Sequence, residues 1–249
     1  MRRFGLIGYR LTHSFSKNYF TEKFKKEGII DCSYENFSLE SIHRFPKVIV
    51  NNPELQGLNV TIPYKESVLN YLDERNHLVN QTGACNCIKI VSGKLFGFNT
   101  DVIGFEKSLI TKLQKQHANA LVLGTGGAAK AVEFVLNRLG IHVTKVSRQP
   151  RSGGLTYSQL TAAIVTDNKL IVNTTPVGMY PKAEELPNIP YEGLTSEHFL
   201  FDLIYNPAKT LFLKQGEARG ANIQNGYDML VNQAEESWNI WNDDFALMG

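Results

Sequence analysis

The chain has 249 residues, 43% of them hydrophobic and 20% charged, as in a globular protein that buries one large core or two smaller ones. A net charge of +2 without a concentrated basic stripe argues against nucleic-acid and membrane partners, and no apolar run approaches membrane-spanning length. Three cysteines, an odd number, argue against a disulfide framework and for a reducing cytoplasm. Cys85 and Cys87 are not predicted to bind a metal, because no second pair of ligand residues accompanies them.

The hydrophobic pattern divides the first hundred residues into alternating strands and helices. The first apolar run is too short for a signal peptide and predicts a strand. Tyr19, Phe20 and Phe24 recur at helical spacing, and Gly28 ends that helix. The elements predicted here are strand 1–8, helix 17–27, strand 58–60, helix 66–72, strand 82–91 and strand 94–99, the last two joined by a turn at 92–93.

Polar residues stand where these elements begin. Ser14 and Ser16 flank an aromatic residue at the start of the first helix, where one serves as the N-cap or both hold a small carboxylate. Lys65 precedes helix 66–72, and because a cation at a helix N-terminus opposes the dipole, a local use for the ammonium is indicated. Thr100 or Asp101 can cap the next helix. When each of these sites is considered alone, the local pattern favours helix caps for the hydroxyl and carboxylate residues and an ordinary surface position for the lysine.

A glycine turn joins a strand to a helix near the middle of the chain. The apolar run 120–123 enters it and an apolar helical stripe follows, which is the context that a G-x-G-x-x-G/A fingerprint requires. Gly124 permits the tight turn, Gly126 lets the backbone approach a pyrophosphate, and Ala129 is the small residue packed against the strand. The pyrophosphate then lies at the positive end of the helix. A dinucleotide is favoured over a turn that binds nothing.

The residues after the next strand, 141–146, indicate which dinucleotide. NAD-binding folds of this type carry an acidic residue about 20 positions after the first glycine. Residues 147–151 contain no Asp or Glu, whereas Arg148 and Arg151 supply guanidinium groups that can grip a 2′-phosphate. A solvated basic loop is the alternative. The missing acid favours NADP.

The remaining chain predicts further strand–helix units and a last helix. Strand 169–173 delivers the residues after it to the carboxyl edge, where such sheets bind ligands. Residues 180–197 are rich in Pro, Glu and Gly and predict a surface loop. Helix 227–241 carries Trp238 and Trp241 on one apolar stripe, which is typical of core packing. The other predicted elements are helix 101–114, strand 199–204, helix 209–219 and strand 222–224.

Ordered motifs along nearly the whole chain resemble the shikimate dehydrogenase family. They are SFS (14–16), NVTIPYK (59–65), GACN (83–86), GFNTDVIG (97–104), GTGGAA (124–129), NTTPVGM (173–179), DLIYNP (202–207), and NG (225–226) with QA (233–234). Seven or more motifs in one order are far more specific than any one of them.

The resemblance implies a two-domain α/β enzyme with a deep cleft between an N-terminal substrate domain and a Rossmann-type dinucleotide-binding domain. The substrate domain is expected at 1–100, completed by the C-terminal helix 227–249, and the NADP-binding domain at 101–226. The implied reaction is the reversible NADPH-dependent reduction of 3-dehydroshikimate to shikimate in chorismate biosynthesis, by a monomer or homodimer. A quinate/shikimate dehydrogenase and a non-catalytic NADP-binding protein are the alternatives. The missing acid argues against a quinate/shikimate dehydrogenase. The presence of both Lys65 and Asp101 argues against a non-catalytic binding protein.

The resemblance also implies the site residues. Lys65 and Asp101 are the polar pair at the reacting hydroxyl, with Lys65 donating the proton to the alkoxide. The implied substrate-binding residues are Ser14, Ser16, Thr61, Asn86, Tyr205 and Gln233. The implied cofactor-binding residues are Gly124, Gly126, Gly127, Ala128, Ser147, Arg148, Thr174, Met179 and Gly226. No metal is implied.

The chain departs from the family pattern at two places. The family commonly has Gly-Ala-Val-Asn-Thr at 83–87, whereas this chain keeps the asparagine between Cys85 and Cys87 and loses a hydroxyl. The family's NADP clamp often has Asn-Arg-Thr and a further basic residue, whereas this chain has Ser-Arg-Gln at 147–149 with Arg151 slightly displaced. Arg148 carries over and the rest of the clamp does not.

Overall fold

The computed structural model describes residues 1–9, 11, 15–149 and 153–243, so Ser14 and Arg151 lie outside the described residues. The chain divides into two compact units. The first comprises Met1–Thr100 with Ala234–Gly249, and the second comprises Asp101–Gln233. Across the described ranges, no helix has the length and apolarity needed to cross a membrane.

The first unit is built on a six-stranded mixed sheet with the order β2-β1-β3-β5-β6-β4. Its strands are β1 (Arg2–Gly8), β2 (Cys32–Ser38), β3 (Leu55–Val60), β4 (Glu74–Arg75), β5 (Cys87–Val91) and β6 (Lys94–Phe98). The helices of this unit are α1 (Phe15–Glu27), α2 (Phe45–Asn51) and α3 (His77–Thr82). Strand β1 pairs in parallel with β2 and β3, whereas β5 is antiparallel to β3 and β6. The sheet therefore has parallel strands on the side of β2, β1 and β3, and an antiparallel hairpin, β5–β6, on the other side.

The β5–β6 hairpin confirms the predicted turn. Ser92 and Gly93 have φ angles of 50° and 78°, and positive φ at both central residues is the geometry that suits the right-handed twist of two-residue hairpins. The strand predicted over 82–91 is wrong at its start, because the helix α3 ends at Thr82. The Asn76 side chain accepts from the Val79 N–H to begin α3, and Gly83 ends it at φ 62°.

The helix predicted over 66–72 is a short 3₁₀ helix at Ser67–Tyr71. A 3₁₀ helix of five residues aligns few peptide dipoles, so the dipole argument for Lys65 loses its force. What places Lys65 is backbone pairing, because its carbonyl accepts from the Cys85 N–H at 2.8 Å.

Aromatic side chains fill one side of the first unit. Phe4 stacks on Trp241 with ring centroids 4.8 Å apart, and Phe20 stacks on Tyr34 at 4.6 Å. The Trp241 indole also donates to the carbonyl of Ile88 at 3.0 Å. The last helix, α8 (Tyr227–Asn242), therefore contributes core residues to this unit from Ala234 onward, as its apolar stripe predicts.

The second unit is a five-stranded, all-parallel sheet with the order β11-β10-β9-β7-β8. Its strands are β7 (Asn119–Leu123), β8 (His142–Val146), β9 (Leu170–Asn173), β10 (Phe199–Asp202) and β11 (Asn222–Gln224), and its helices are α4 (Thr100–Leu109), α5 (Gly127–Arg138), α6 (Ala162–Asp167) and α7 (Leu211–Glu217). Strand order reverses between β7 and β9, which makes their carboxyl ends the switch point where such sheets bind ligands. The predicted Rossmann-type architecture is confirmed.

Helix α4 and the first turns of α8 pack closely at Gly104. A Cβ added at Gly104 would lie 2.7 Å from the carbonyl oxygen of Met229 and 2.9 Å from Cβ of Gln233. This contact explains why the start of α8 belongs to the second unit, whereas the sequence places a domain boundary before that helix. The predicted helix 101–114 also ends early, at Leu109, and continues as a 3₁₀ turn.

Gly104→Ala should therefore lower the free energy of unfolding by about 1–3 kcal/mol, because the added methyl overpacks the helix contact. The sign is informative, since alanine is otherwise favoured over glycine inside a helix by ~1 kcal/mol. Urea unfolding followed by fluorescence measures the change. Ser108→Ala is the matched control, because this buried hydroxyl donates within its own helix to the Phe105 carbonyl. A Gly104→Ala variant at least as stable as wild type would contradict the close packing.

Candidate functional site

The glycine turn after β7 has the geometry that the sequence predicts. Gly124 has a φ of 113°, which favours glycine, and a Cβ there would lie 2.6 Å from the Thr174 hydroxyl oxygen. Gly126 caps the N-terminus of α5, and a Cβ added there meets no atom of the described residues within 4 Å. Ala129 is buried against the rest of the unit. The turn is thus tight on its inner side and open at Gly126, where a phosphate could approach.

Helix α5 begins at Gly127 and Ala128 and has twelve residues. Its first backbone N–H groups lack partners within the helix, as at every helix N-terminus, and the aligned peptide dipoles make that end positive. Val132 and Val135 lie fully buried one turn apart and fix the helix on its sheet. An anion placed at this end needs no charged side chain of its own.

The end of β9 lies beside the glycine turn. Thr174 donates to the Leu123 carbonyl from both its backbone N–H, at 3.0 Å, and its hydroxyl, at 2.6 Å. The Asn173 side chain accepts from the backbone N–H and the hydroxyl of Thr175 at 3.0 and 2.7 Å. Met179 follows in the same loop with its side chain partly exposed. The structure thus brings Thr174 to the switch point together with Gly124.

A buried carboxylate ties the ends of β9 and β10 together. Asp202 accepts from Asn173 Nδ2 at 3.0 Å, from the Ile204 N–H at 3.1 Å and from the Thr210 hydroxyl at 2.6 Å. Its side chain is fully buried, and this burial raises its pKa to about 6. The sequence names Asp202 only as the first letter of a motif. An acid as the last residue of an otherwise apolar strand is the signal that could have identified it.

Two further predicted residues follow β10 and β11. Tyr205 is half-buried, and this burial raises the pKa of its phenol. Gly226 donates its N–H to the Ile204 carbonyl at 3.1 Å, and any Cβ there would overlap the backbone of Leu203. Glycine is therefore required at 226 by a close backbone approach, independently of any ligand.

Strand β8 ends at the predicted 2′-phosphate clamp. The Ser147 backbone N–H donates to the Leu155 carbonyl at 3.0 Å, whereas its hydroxyl oxygen is buried without a hydrogen-bond partner among the described residues. The Arg148 side chain is exposed. An orphaned hydroxyl beside an exposed guanidinium is the donor set that a phosphate needs.

The first unit holds its own predicted residues in α1, directly after β3 and directly before β5. Thr61 donates its N–H to the Ile7 carbonyl at 2.9 Å, directly after β3. Ser16, in the first turn of α1, hydrogen-bonds the phenol of Tyr34. The Asn86 side chain is buried, accepts from the Thr100 N–H at 2.6 Å and donates to the Thr100 hydroxyl at 2.9 Å. Asn86 thereby caps the helix that the sequence expects Thr100 or Asp101 to cap.

The predicted residues of the second unit also include Asp101 and Gln233. Both are buried, at 6% exposure each, which is unusual for such polar side chains. Gln233 lies against Gly104, one helical turn after Asp101 in α4. The described residues contain no cluster of three or more His, Cys, Asp or Glu placed to hold a metal ion.

Comparison with known proteins yields one consistent family. Residues 6–88 match the family model "shikimate dehydrogenase substrate binding domain". A shikimate dehydrogenase (NADP(+)) of Caldicellulosiruptor bescii is 36% identical over 98% of this chain and 90% of its own length. A Thermus thermophilus shikimate 5-dehydrogenase solved with NADP(H) and shikimate superposes with a TM-score of 0.86, at 31% identity over 97% of this chain and 94% of that one. A chorismate mutase/shikimate 5-dehydrogenase fusion protein of Clostridium acetobutylicum superposes with a TM-score of 0.86, at 35% identity over 98% of this chain and 92% of that one.

Asp202 should make stability fall as pH rises through the weakly acidic range. Its pKa is about 6 in the folded chain against an ordinary 3.8, so as pH rises the unfolded chain loses its proton first, and its free energy falls relative to that of the folded state. Relative to Asp202→Asn, the wild type should lose about 2 kcal/mol of unfolding free energy between about pH 4.5 and about pH 7.5. Urea unfolding of both proteins at each pH measures this difference. Parallel pH curves for the two proteins would contradict it.

Proposed function

Because the chain belongs to the shikimate dehydrogenase family, we propose that it catalyses the reversible NADPH-dependent reduction of 3-dehydroshikimate to shikimate, in chorismate and aromatic amino acid biosynthesis. The observation that carries the proposal is the similarity to NADP-dependent relatives over 98% of the chain, so that it covers both units. We further propose that the enzyme works in the cytoplasm, as a monomer or homodimer. Three free cysteines accord with that location.

The second unit has the residues to hold NADP. Gly126, Gly127 and Ala128 lie at the open turn and helix N-terminus, which suits the pyrophosphate. Ser147 and Arg148 suit the 2′-phosphate, through a buried hydroxyl that has no hydrogen-bond partner within the described part of the chain and through an exposed guanidinium. When bound, NADPH supplies the hydride.

Three further residues are proposed to border the nicotinamide end. Thr174, Met179 and Gly226 follow β9 and β11 at the carboxyl edge of the sheet, which is the edge where dinucleotides bind. Gly124 shapes the turn from behind, because a side chain there would displace Thr174. The family resemblance implies these roles, and the placement of the three residues in the second unit supports them.

The substrate is proposed to be held by hydroxyl and amide groups. Ser14 and Ser16 would bind the carboxylate at the start of α1. The proposed partners of the ring hydroxyls or carboxylate are Thr61, Asn86, Tyr205 and Gln233. Serine, threonine and amide side chains offer both donors and acceptors, which suits a polyhydroxylated ring acid.

Lys65 and Asp101 are proposed to act on the proton. As the ketone carbon is reduced, negative charge builds on its oxygen, and the Lys65 ammonium neutralises that charge and donates a proton to give the alcohol. The resulting amine regains its proton from solvent. Asp101 orients the substrate and the lysine, and it can share the proton.

Lys65→Ala should lower kcat at least about 100-fold, because general-acid catalysis typically contributes that much, and should change the Kd for shikimate only a few-fold. Steady-state kinetics and equilibrium titration measure the two effects separately. The control is Lys47→Ala, at an exposed lysine of α2. Near-normal turnover of a folded Lys65→Ala variant would refute the assigned role.

Arg148→Ala should raise the KM for NADP by about 10- to 100-fold and leave the KM for NAD within about twofold, because only NADP carries the phosphate that the guanidinium binds. Oxidation of shikimate with each cofactor provides the measurement. Arg44→Ala, at an exposed arginine of the first unit, is the matched control. Equal changes with both cofactors would show that Arg148 does not select the phosphate.

A further inference from the structure

A buried chain of hydrogen bonds runs through the first unit, and the proposed catalytic roles leave it unexplained. The Tyr34 phenol donates to Asn59 Oδ1 at 2.8 Å, and Asn59 Nδ2 donates to the Ser237 hydroxyl at 2.9 Å. Ser237 lies 3.2 Å from the Thr100 hydroxyl, which bonds Asn86. These five residues are the Ser237 chain. Its central bond joins residues 178 positions apart in the sequence.

The donors and acceptors of the Ser237 chain are matched, and the bonds from its two sides meet at the Thr100 hydroxyl. A backbone N–H can only donate, so the Thr100 N–H fixes Oδ1 of Asn86 as the atom facing it. Asn86 Nδ2 then donates to the Thr100 hydroxyl. Ser237 accepts from Asn59 and has its own hydroxyl hydrogen to donate towards Thr100. Both amide side chains are therefore held in a single orientation.

The burial of the Ser237 chain makes each bond matter. Its five members are at most 4% exposed, and Ser237 and Thr100 are at 0% and 1%. A donor that loses its partner in such a place cannot turn to water, so the neighbouring side chain must move to satisfy it. The Cys87 thiol also hydrogen-bonds Ser237. The hydroxyl of Ser237 is thus the hub of the chain.

Both ends of the Ser237 chain reach residues assigned to the substrate. Asn86 is one end, and at the other end Ser16 hydrogen-bonds the Tyr34 phenol. We propose that Ser237 is a positioning residue, which holds Asn86 through Thr100 and Ser16 through Asn59 and Tyr34, and so sets the affinity for the substrate. The inference rests on the proposed function, because it takes Asn86 and Ser16 as substrate contacts.

Ser237→Ala should raise the KM for shikimate about tenfold and leave kcat within about twofold, because a misplaced Asn86 weakens ground-state and transition-state binding alike. The KM for NADP should stay within about twofold, since its proposed residues lie in the second unit. Thr100→Val breaks the same chain with little change in volume and should have the same effect. The double variant should be no worse than either single one, because one chain is broken in each case.

Steady-state kinetics with shikimate and NADP, with thermal melting of each variant, provides the test, and Ser108→Ala is the control for losing a buried serine hydroxyl. An unchanged KM for shikimate in folded Ser237→Ala or Thr100→Val would overturn the inference, as would an equal rise in Ser108→Ala. If Ser237→Ala does not fold, Thr100→Val decides. An inactive, folded wild type would overturn the proposed function itself, whereas an active wild type with unaffected variants would overturn this inference alone.

Discussion

The carboxyl ends of the parallel strands in the second unit lie along one edge of the sheet, and most of the predicted cofactor residues follow from that constraint. Gly124, Ser147 and Thr174 come directly after β7, β8 and β9. The order of the strands reverses between β7 and β9, so the connections on the two sides diverge and leave room at that edge. A chain that forms this sheet has little freedom to place these residues elsewhere.

Buried hydrogen bonds then hold the segments at the ends of the strands in place. In the second unit the Asp202 carboxylate joins Asn173 to Thr210, and its burial is unfavourable for the charge. In the first unit the Ser237 hydroxyl plays the corresponding part between Asn59 and Thr100. Apolar packing alone could fill either place. The polar groups hold neighbouring segments in one arrangement, which a binding site requires more than stability does.

The sequence predicts those elements whose backbone needs are encoded locally. Gly124 and Gly93 stand where positive φ is required, so both turns are visible from residue types alone. The α3 helix is missed because it has only six residues and its start depends on a side-chain cap from Asn76. The helices α2 and α6 are likewise short, and β2 lacks a clear alternation of apolar residues, so only tertiary packing distinguishes these elements from loops.

Some residues of the candidate site can likewise be predicted from local sequence, and others cannot. Motif order singles out Lys65, Asp101 and Arg148 as candidates, because each follows a recognisable strand or turn. Ser237 cannot be found that way, since its partner Asn59 is 178 positions distant and a serine on an apolar helix stripe carries no local signal.

The most direct measurement is the absorbance of reduced nicotinamide, recorded with purified protein and each pairing of shikimate or quinate with NADP or NAD. Fast reduction with shikimate and NADP, and slow or no reduction with the other three pairs, is the predicted result. Preferred oxidation of quinate with NAD would contradict the proposed substrate and cofactor together. No reduction with any pair, from protein shown to be folded, would contradict the assignment as an enzyme and favour a protein that only binds the dinucleotide.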